Sequence, residues 1–142
     1  MKRPLLLLLA IAAAVALLTA GCRASKQSSD EKEESSIGSY EQITQEKAAQ
    51  LMKSESDYVL LDVRTVQEFS ENHIPGAICV PNENIGDEDV PQLPDKNALI
   101  LVYCRSGNRS KQAAEKLARA GYTNVKEFGG IIDWTGPVSA VE

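Results

Sequence analysis

Ala98-Leu99-Ile100-Leu101-Val102-Tyr103-Cys104-Arg105-Ser106-Gly107-Asn108-Arg109-Ser110 is the stretch on which the fold turns. Its first six residues are an unbroken apolar run, the pattern of a strand buried on both faces. Cys104 ends the run, and small, polar or basic residues follow. The stretch from Ser110 to Ala120, rich in Ala, Lys, Glu and Leu, then reads as a helix. The order is strand, short loop, helix, with a thiol at the first junction. Backbone N–H groups and the helix dipole can hold an anion at such a junction.

Outward from this unit, apolar runs alternate with helical patterns. Thr44 is placed to N-cap a helix through Lys53, with Glu46 in the first turn and Ala48, Leu51 and Met52 on its apolar face. Tyr58–Val63 reads as a buried strand and Val66–Asn72 as a short helix. Pro75-Gly76 is a turn, and Ala77–Val80 is a short strand stopped by Pro81. Asn82–Asp95, with its acidic residues, Gly86, Pro91 and Pro94, reads as loop with room for one helical turn. Gly121 suits the position that ends a helix. Val125–Phe128 is a last strand, Gly129-Gly130 a tight turn, and Ile131–Trp134 a helical turn. Continuous apolar strands between helices predict an α/β domain: a central, mostly parallel sheet flanked by helices on both faces. Ligands sit at the carboxyl ends of strands in such sheets, where Cys104 falls.

The 142 residues have room for one domain of this kind, spanning residues 40–142. Before it, residues 1–21 read as an export signal. Lys2 and Arg3 form a basic start, Leu5–Leu18 is uncharged and rich in Leu and Ala, and Thr19-Ala20-Gly21 are small. Cys22 follows at once, so the segment resembles the lipobox of bacterial lipoproteins, with Thr19 where Leu is usual. That resemblance implies lipidation at Cys22 and an extracytoplasmic protein anchored to a bacterial membrane. The alternative is an uncleaved anchor, since the 18 residues from Pro4 to Gly21 carry no charge and ~17–25 suffice to span. Residues 22–39 hold many Ser, Lys and Glu and one large apolar residue, Ile37, which predicts a flexible tether.

The formal charge of the chain is −5. Without Lys2 and Arg3 the balance is 13 basic to 20 acidic, or −7. This argues against nonspecific nucleic-acid binding, which needs basic clusters. One histidine and two cysteines in the domain supply no four-ligand zinc pattern, and no cofactor or metal is expected.

The chemistry expected at the loop follows from its residue types. A helix N-terminus or a nearby cation lowers a thiol from its ordinary value of ~8.5. Arg105 and Arg109 flank the loop, its amides could curl into an anion nest, and Gly107 supplies a positive-φ position. A buried cysteine can also be a small inert hydrophobe, and the loop alone leaves both readings open. Cys79, mid-strand between Ile78 and Val80, is expected to be a buried thiol. As a resolving partner for Cys104 it would make a redox protein, provided the two Cα atoms lie within about 7 Å.

Further motifs stand in a fixed order: Leu61-Asp62-Val63-Arg64, Glu68-Phe69, His73-Ile74-Pro75-Gly76-Ala77-Ile78, the Cys104 loop, and Gly129-Gly130-Ile131 with Trp134. Over residues 40–138 the series resembles single-domain rhodaneses. The resemblance implies the rhodanese-like fold and a sulfurtransferase mechanism. Cys104 would take a sulfane sulfur from a small anionic donor such as thiosulfate and pass it, as a persulfide, to cyanide or a thiol. The backbone of Arg105, Ser106, Gly107, Asn108, Arg109 and Ser110 would cradle the outer sulfur, with Asp62 and Arg64 as structural supports. Related phosphatases and arsenate reductases space the same loop as Cys-x5-Arg. Here the spacing is Cys-x4-Arg, with no acidic residue inside the loop, which disfavours phosphatase chemistry. A monomer is expected, and a noncatalytic persulfide carrier or interaction module is the alternative on the same fold. For His73 and Trp134 the expected roles are structural: a hydrogen bond that anchors a loop, and core packing. Asp62 and Arg64 are expected to pair with each other or with Glu68. Arg109 is left between binding the donor and bracing the loop.

Overall fold

The computed structural model describes residues 38–141. The signal-like segment, Cys22 and the tether as far as Ile37 lie outside the described residues.

Five strands form one sheet: β1 (Glu41–Gln42), β2 (Tyr58–Asp62), β3 (Ile78–Cys79), β4 (Leu99–Cys104) and β5 (Val125–Gly130). Their order is β1-β5-β4-β2-β3, and every pairing is parallel. Three α-helices cross between them: α1 (Gln45–Ser54), α2 (Val66–Glu71) and α3 (Asn108–Arg119). Single 3₁₀ turns occur at Asn82–Asn84, as the composition of that loop allowed, and at Ile131–Asp133.

The central strand β4 explains why its sequence does not alternate. Ile100, Val102 and Cys104 pack with Ala113, Ala114 and Leu117 of α3. Leu101 and Tyr103 face the other way, into a cluster with Leu60, Phe128 and Ala48 of α1. Both faces of the strand are therefore core, and every position must be apolar. Fully burying each large side chain contributes roughly 1.5–3 kcal/mol, so this strand and its two helices anchor the fold.

Local signals set several boundaries. The Thr44 hydroxyl accepts from the Lys47 amide at 3.2 Å and starts α1. Thr65 and Glu68 form a reciprocal capping box at the start of α2. Gly121, at φ 93°, ends α3, and the Tyr122 amide turns back to the Leu117 carbonyl at 3.1 Å.

Four expectations change. Cys104 is the last residue of β4 rather than the residue after it. Helix α3 begins at Asn108, two residues before Ser110, because Gly107 leaves the loop in the left-handed region at φ 96° and the chain is helical from there. Gly129-Gly130 is not a tight turn. The two residues end β5 in a bulge: Val102 pairs with Glu127, yet Cys104 pairs with Gly130. Gly129, at φ 94°, belongs to the extra backbone that the bulge inserts. Finally, Glu41-Gln42 adds to the sheet edge as β1, a strand too short and polar to show a pattern.

Candidate active site

Cys104 is 1% exposed and lies at the carboxyl end of the central strand. The loop after it curls back over the sulfur. The Gly107 amide donates to Cys104 Sγ at 3.1 Å, and Gly107 can aim it because its backbone is left-handed. Arg105, Ser106 and Asn108 are exposed, whereas Gly107 and Ser110 are buried against the sheet. Burial disfavours the thiolate. Hydrogen bonds from Ser110 and from the amides of Ser106 and Gly107 outweigh it, and the thiol falls below its ordinary value. The largest lowering contributions are thus hydrogen-bond donors, ahead of Arg105 and Arg109, the cations that the sequence brought forward.

Arg109 is committed elsewhere. Its guanidinium binds the Glu68 carboxylate with two bonds, 2.7 and 2.8 Å long, tying the first turn of α3 to α2. Glu68 therefore does not join Asp62 and Arg64. Those two pair with each other at 2.7 Å, Asp62 fully buried. Arg64 also donates to the Asn72 side chain and carbonyl and lies over the Tyr103 ring. Its donors are thus occupied by Asp62 and Asn72 beside β4.

Cys79 is in a different position. Asp62 of β2 is the register partner of both Cys79 and Tyr103, so two strand spacings separate Cys79 from β4. At ~4.8 Å per spacing, that exceeds the ~7 Å a disulfide allows. The Cys79 side chain also points to the sheet face opposite Cys104, since its neighbour Val80 packs on the face Cys104 shares. Both cysteines are free. Burial, followed by the charge of Asp62, raises the Cys79 thiol. This geometry removes the resolving-thiol alternative.

His73 and Trp134 are structural. The His73 ring stacks on Phe69, its Nδ1 lies 2.9 Å from the Phe69 carbonyl, and its backbone pairs with Ser139. Trp134 packs against Phe128. A concavity of about 550 Å³ lies on the α1 side, between Met52, Tyr58, Ile74 and Trp134, and no residue of the Cys104 loop lines it. Among the described residues no group of three His, Cys, Asp or Glu side chains is placed to hold a metal ion.

One site residue escaped the sequence reading. Glu127 of β5 is 3% exposed and accepts from the Ser110 hydroxyl at 2.6 Å and the Gly129 amide at 2.8 Å. The available signal was an acidic residue between Val125 and Phe128, inside a strand otherwise expected to be core.

Fold and site together define a parallel α/β domain that presents a buried thiol on a strand–loop–helix turn. A family model, the Rhodanese-like domain, matches residues 44–136. The chain belongs to the rhodanese-like family. It is 38% identical over 77 residues to the thiosulfate sulfurtransferase PspE of Escherichia coli, covering 54% of this chain and 74% of that protein. It is 36% identical to a sulfurtransferase of Allochromatium vinosum, covering 66% and 86%. A solved rhodanese with anions from E. coli superimposes with a TM-score of 0.54 at 35% identity, covering 59% of this chain and 99% of that one.

Proposed function

We propose that this protein is a sulfurtransferase in which Cys104 carries sulfur as a persulfide, with thiosulfate or a similar small anion as donor. The observation that carries the reading is the Cys104 sulfur held under inward-facing amides at the end of β4. In the loading step the sulfur attacks the sulfane sulfur of thiosulfate. A new S–S bond forms, the donor's S–S bond breaks, and sulfite leaves with the electron pair. The outer sulfur of the persulfide is anionic, and loop amides and the start of α3 stabilise charge at such a position. Cyanide or a thiol then attacks that sulfur and releases Cys104. Arg105 and Lys111, both exposed, attract anionic donors to the mouth, while Arg109 braces the loop through Glu68.

Purified protein incubated with thiosulfate should gain one sulfur atom on the Cys104 peptide by mass spectrometry, and added cyanide should yield thiocyanate. Cys104→Ala should abolish both. Absence of sulfur uptake by the wild type sinks the proposal and leaves the interaction module.

The protein acts, in this reading, outside the cytoplasm, held to a bacterial membrane by lipid on Cys22. The support is the sequence of residues 1–22. Cys22→Ala should release the protein from the membrane fraction or leave its precursor unprocessed. Unchanged processing and retention would favour an uncleaved anchor.

A further inference from the structure

One oxygen ties together the two segments that enclose the thiol. Glu127 Oε1 accepts from the Ser110 hydroxyl at 2.6 Å and from the Gly129 amide at 2.8 Å. Ser110 is in the first turn of α3, which starts from Gly107, and the Gly107 amide donates to Cys104 Sγ. Gly129 is in the β5 bulge, next to Gly130, the register partner of Cys104. The carboxyl group lies directly under the loop: a Cβ added at Gly107 would be 3.9 Å from Oε1 and 3.6 Å from Gly129 Cα. The other oxygen faces the Gln42 amide at 3.5 Å.

This tie is buried. Glu127 is 3% exposed and Ser110 is fully buried, so water does not compete for either donor and both bonds are strengthened. Arg109, the residue before Ser110, holds the same helical turn from outside through Glu68, in a pair that is partly exposed. The Ser110 hydroxyl has a second acceptor, the Gly107 carbonyl at 2.9 Å. Without Glu127 the hydroxyl turns to that carbonyl, the turn loses its link to β5, and the Gly129 amide loses its acceptor. A hydrogen bond weakens steeply as its angle closes. A small displacement of Gly107 is therefore enough to take its amide off the sulfur.

We propose that Glu127 is a positioning residue for Cys104: by holding Ser110 and Gly129 on one oxygen, it keeps the Gly107 amide aimed at the sulfur. It acts on the thiol only through the loop. For its purpose this rests on the sulfurtransferase reading, in which the loop amides also hold the persulfide. Its test does not. The requirement is one of reach, since the acceptor must extend from β5 to both α3 and the bulge.

The test is the pH dependence of Cys104 alkylation by iodoacetamide, read on the Cys104 peptide by mass spectrometry in the full-length protein. Urea denaturation checks that each variant is folded, and no sulfur donor is needed. Glu127→Asp keeps the carboxyl group but is one methylene shorter and does not span both donors. Taking the amide from the thiolate should raise the alkylation midpoint by about one pH unit. Glu127→Gln keeps the length and an acceptor oxygen for both donors, and should not raise the midpoint. An effect of charge alone predicts the reverse, a change in Glu127→Gln and none in Glu127→Asp. Glu127→Leu fills the space but accepts nothing. It should follow Glu127→Asp, which covers the case in which Glu127→Asp does not fold. Every variant keeps the charged groups around the thiol: Arg105 in the loop, and Arg109 of α3 with Glu68 of α2. Glu115 of α3 and Tyr40, which lie toward Glu127, are also unchanged. A midpoint raised in Glu127→Gln, or unmoved in whichever of Glu127→Asp and Glu127→Leu folds, overturns the proposal. If the midpoints move as expected but thiosulfate adds no sulfur, the positioning role stands and the sulfurtransferase reading fails.

Discussion

One carboxylate, that of Glu68, closes the α2 capping box at the Thr65 amide and holds Arg109 with two further bonds. The Arg109 guanidinium, as the largest contribution, lowers this carboxylate from 4.5 to about 2. Because the folded value lies below the unfolded one, the contribution to stability is complete above the ordinary carboxylate range. It is lost as pH falls toward about 2. The pair is partly exposed, so solvent screening reduces its worth to about 1 kcal/mol. Glu68→Gln should therefore destabilise the protein by about that amount at neutral pH. The gap from wild type should narrow in acid. Urea denaturation at both pH values checks this, and a gap independent of pH would contradict it.

Among the elements, the junction of β5 with the Cys104 loop controls the geometry of the thiol. A Cβ added at Gly130 would sit 2.2 Å from the Arg105 carbonyl oxygen and 2.5 Å from Ser106 Cα. Both neighbours are backbone, so the loop must shift. The Arg105 carbonyl also accepts from the Ile132 amide at 3.2 Å. Gly130→Ala should lower sulfur transfer at least tenfold while leaving enough stability to fold, because the loop is at the surface and the core is untouched. Full activity in this variant would show that the loop tolerates displacement. The same junction marks where element boundaries could not be read. Thr44, Thr65 and Gly121 announce their helix ends by local chemistry, and α1, β2 and β4 were legible. The Gly129 bulge answers to pairing with β4, a contact between segments more than twenty residues apart, and no window of sequence contains it.

At the scale of the whole sheet, strand order settles what two cysteines can do. Placing β2 between β3 and β4 keeps Cys79 and Cys104 apart, on opposite faces. Mild oxidation with diamide should therefore produce no Cys79–Cys104 cross-link on peptide mapping, and Cys79→Ser should retain sulfur transfer. An intramolecular disulfide between them would require the sheet to rearrange and would refute the stated order.

The chain's sequence determined the parallel α/β class, the identity of the loop thiol and its place at a strand end. These depend on apolar runs, caps and the spacing of neighbours along the chain, and local physics acts within such windows. Tertiary structure alone decided that Arg109 belongs to Glu68, that Cys79 is out of reach, and that Glu127 lies beneath Ser110. Each joins residues from different elements, and a side chain's partner is chosen by strand order and helix placement rather than by its neighbours in sequence. Glu127 shows the reason most directly. A carboxylate in a buried strand is a conflict when read along the chain, and only packing of α3 against β5 supplies the hydroxyl that resolves it.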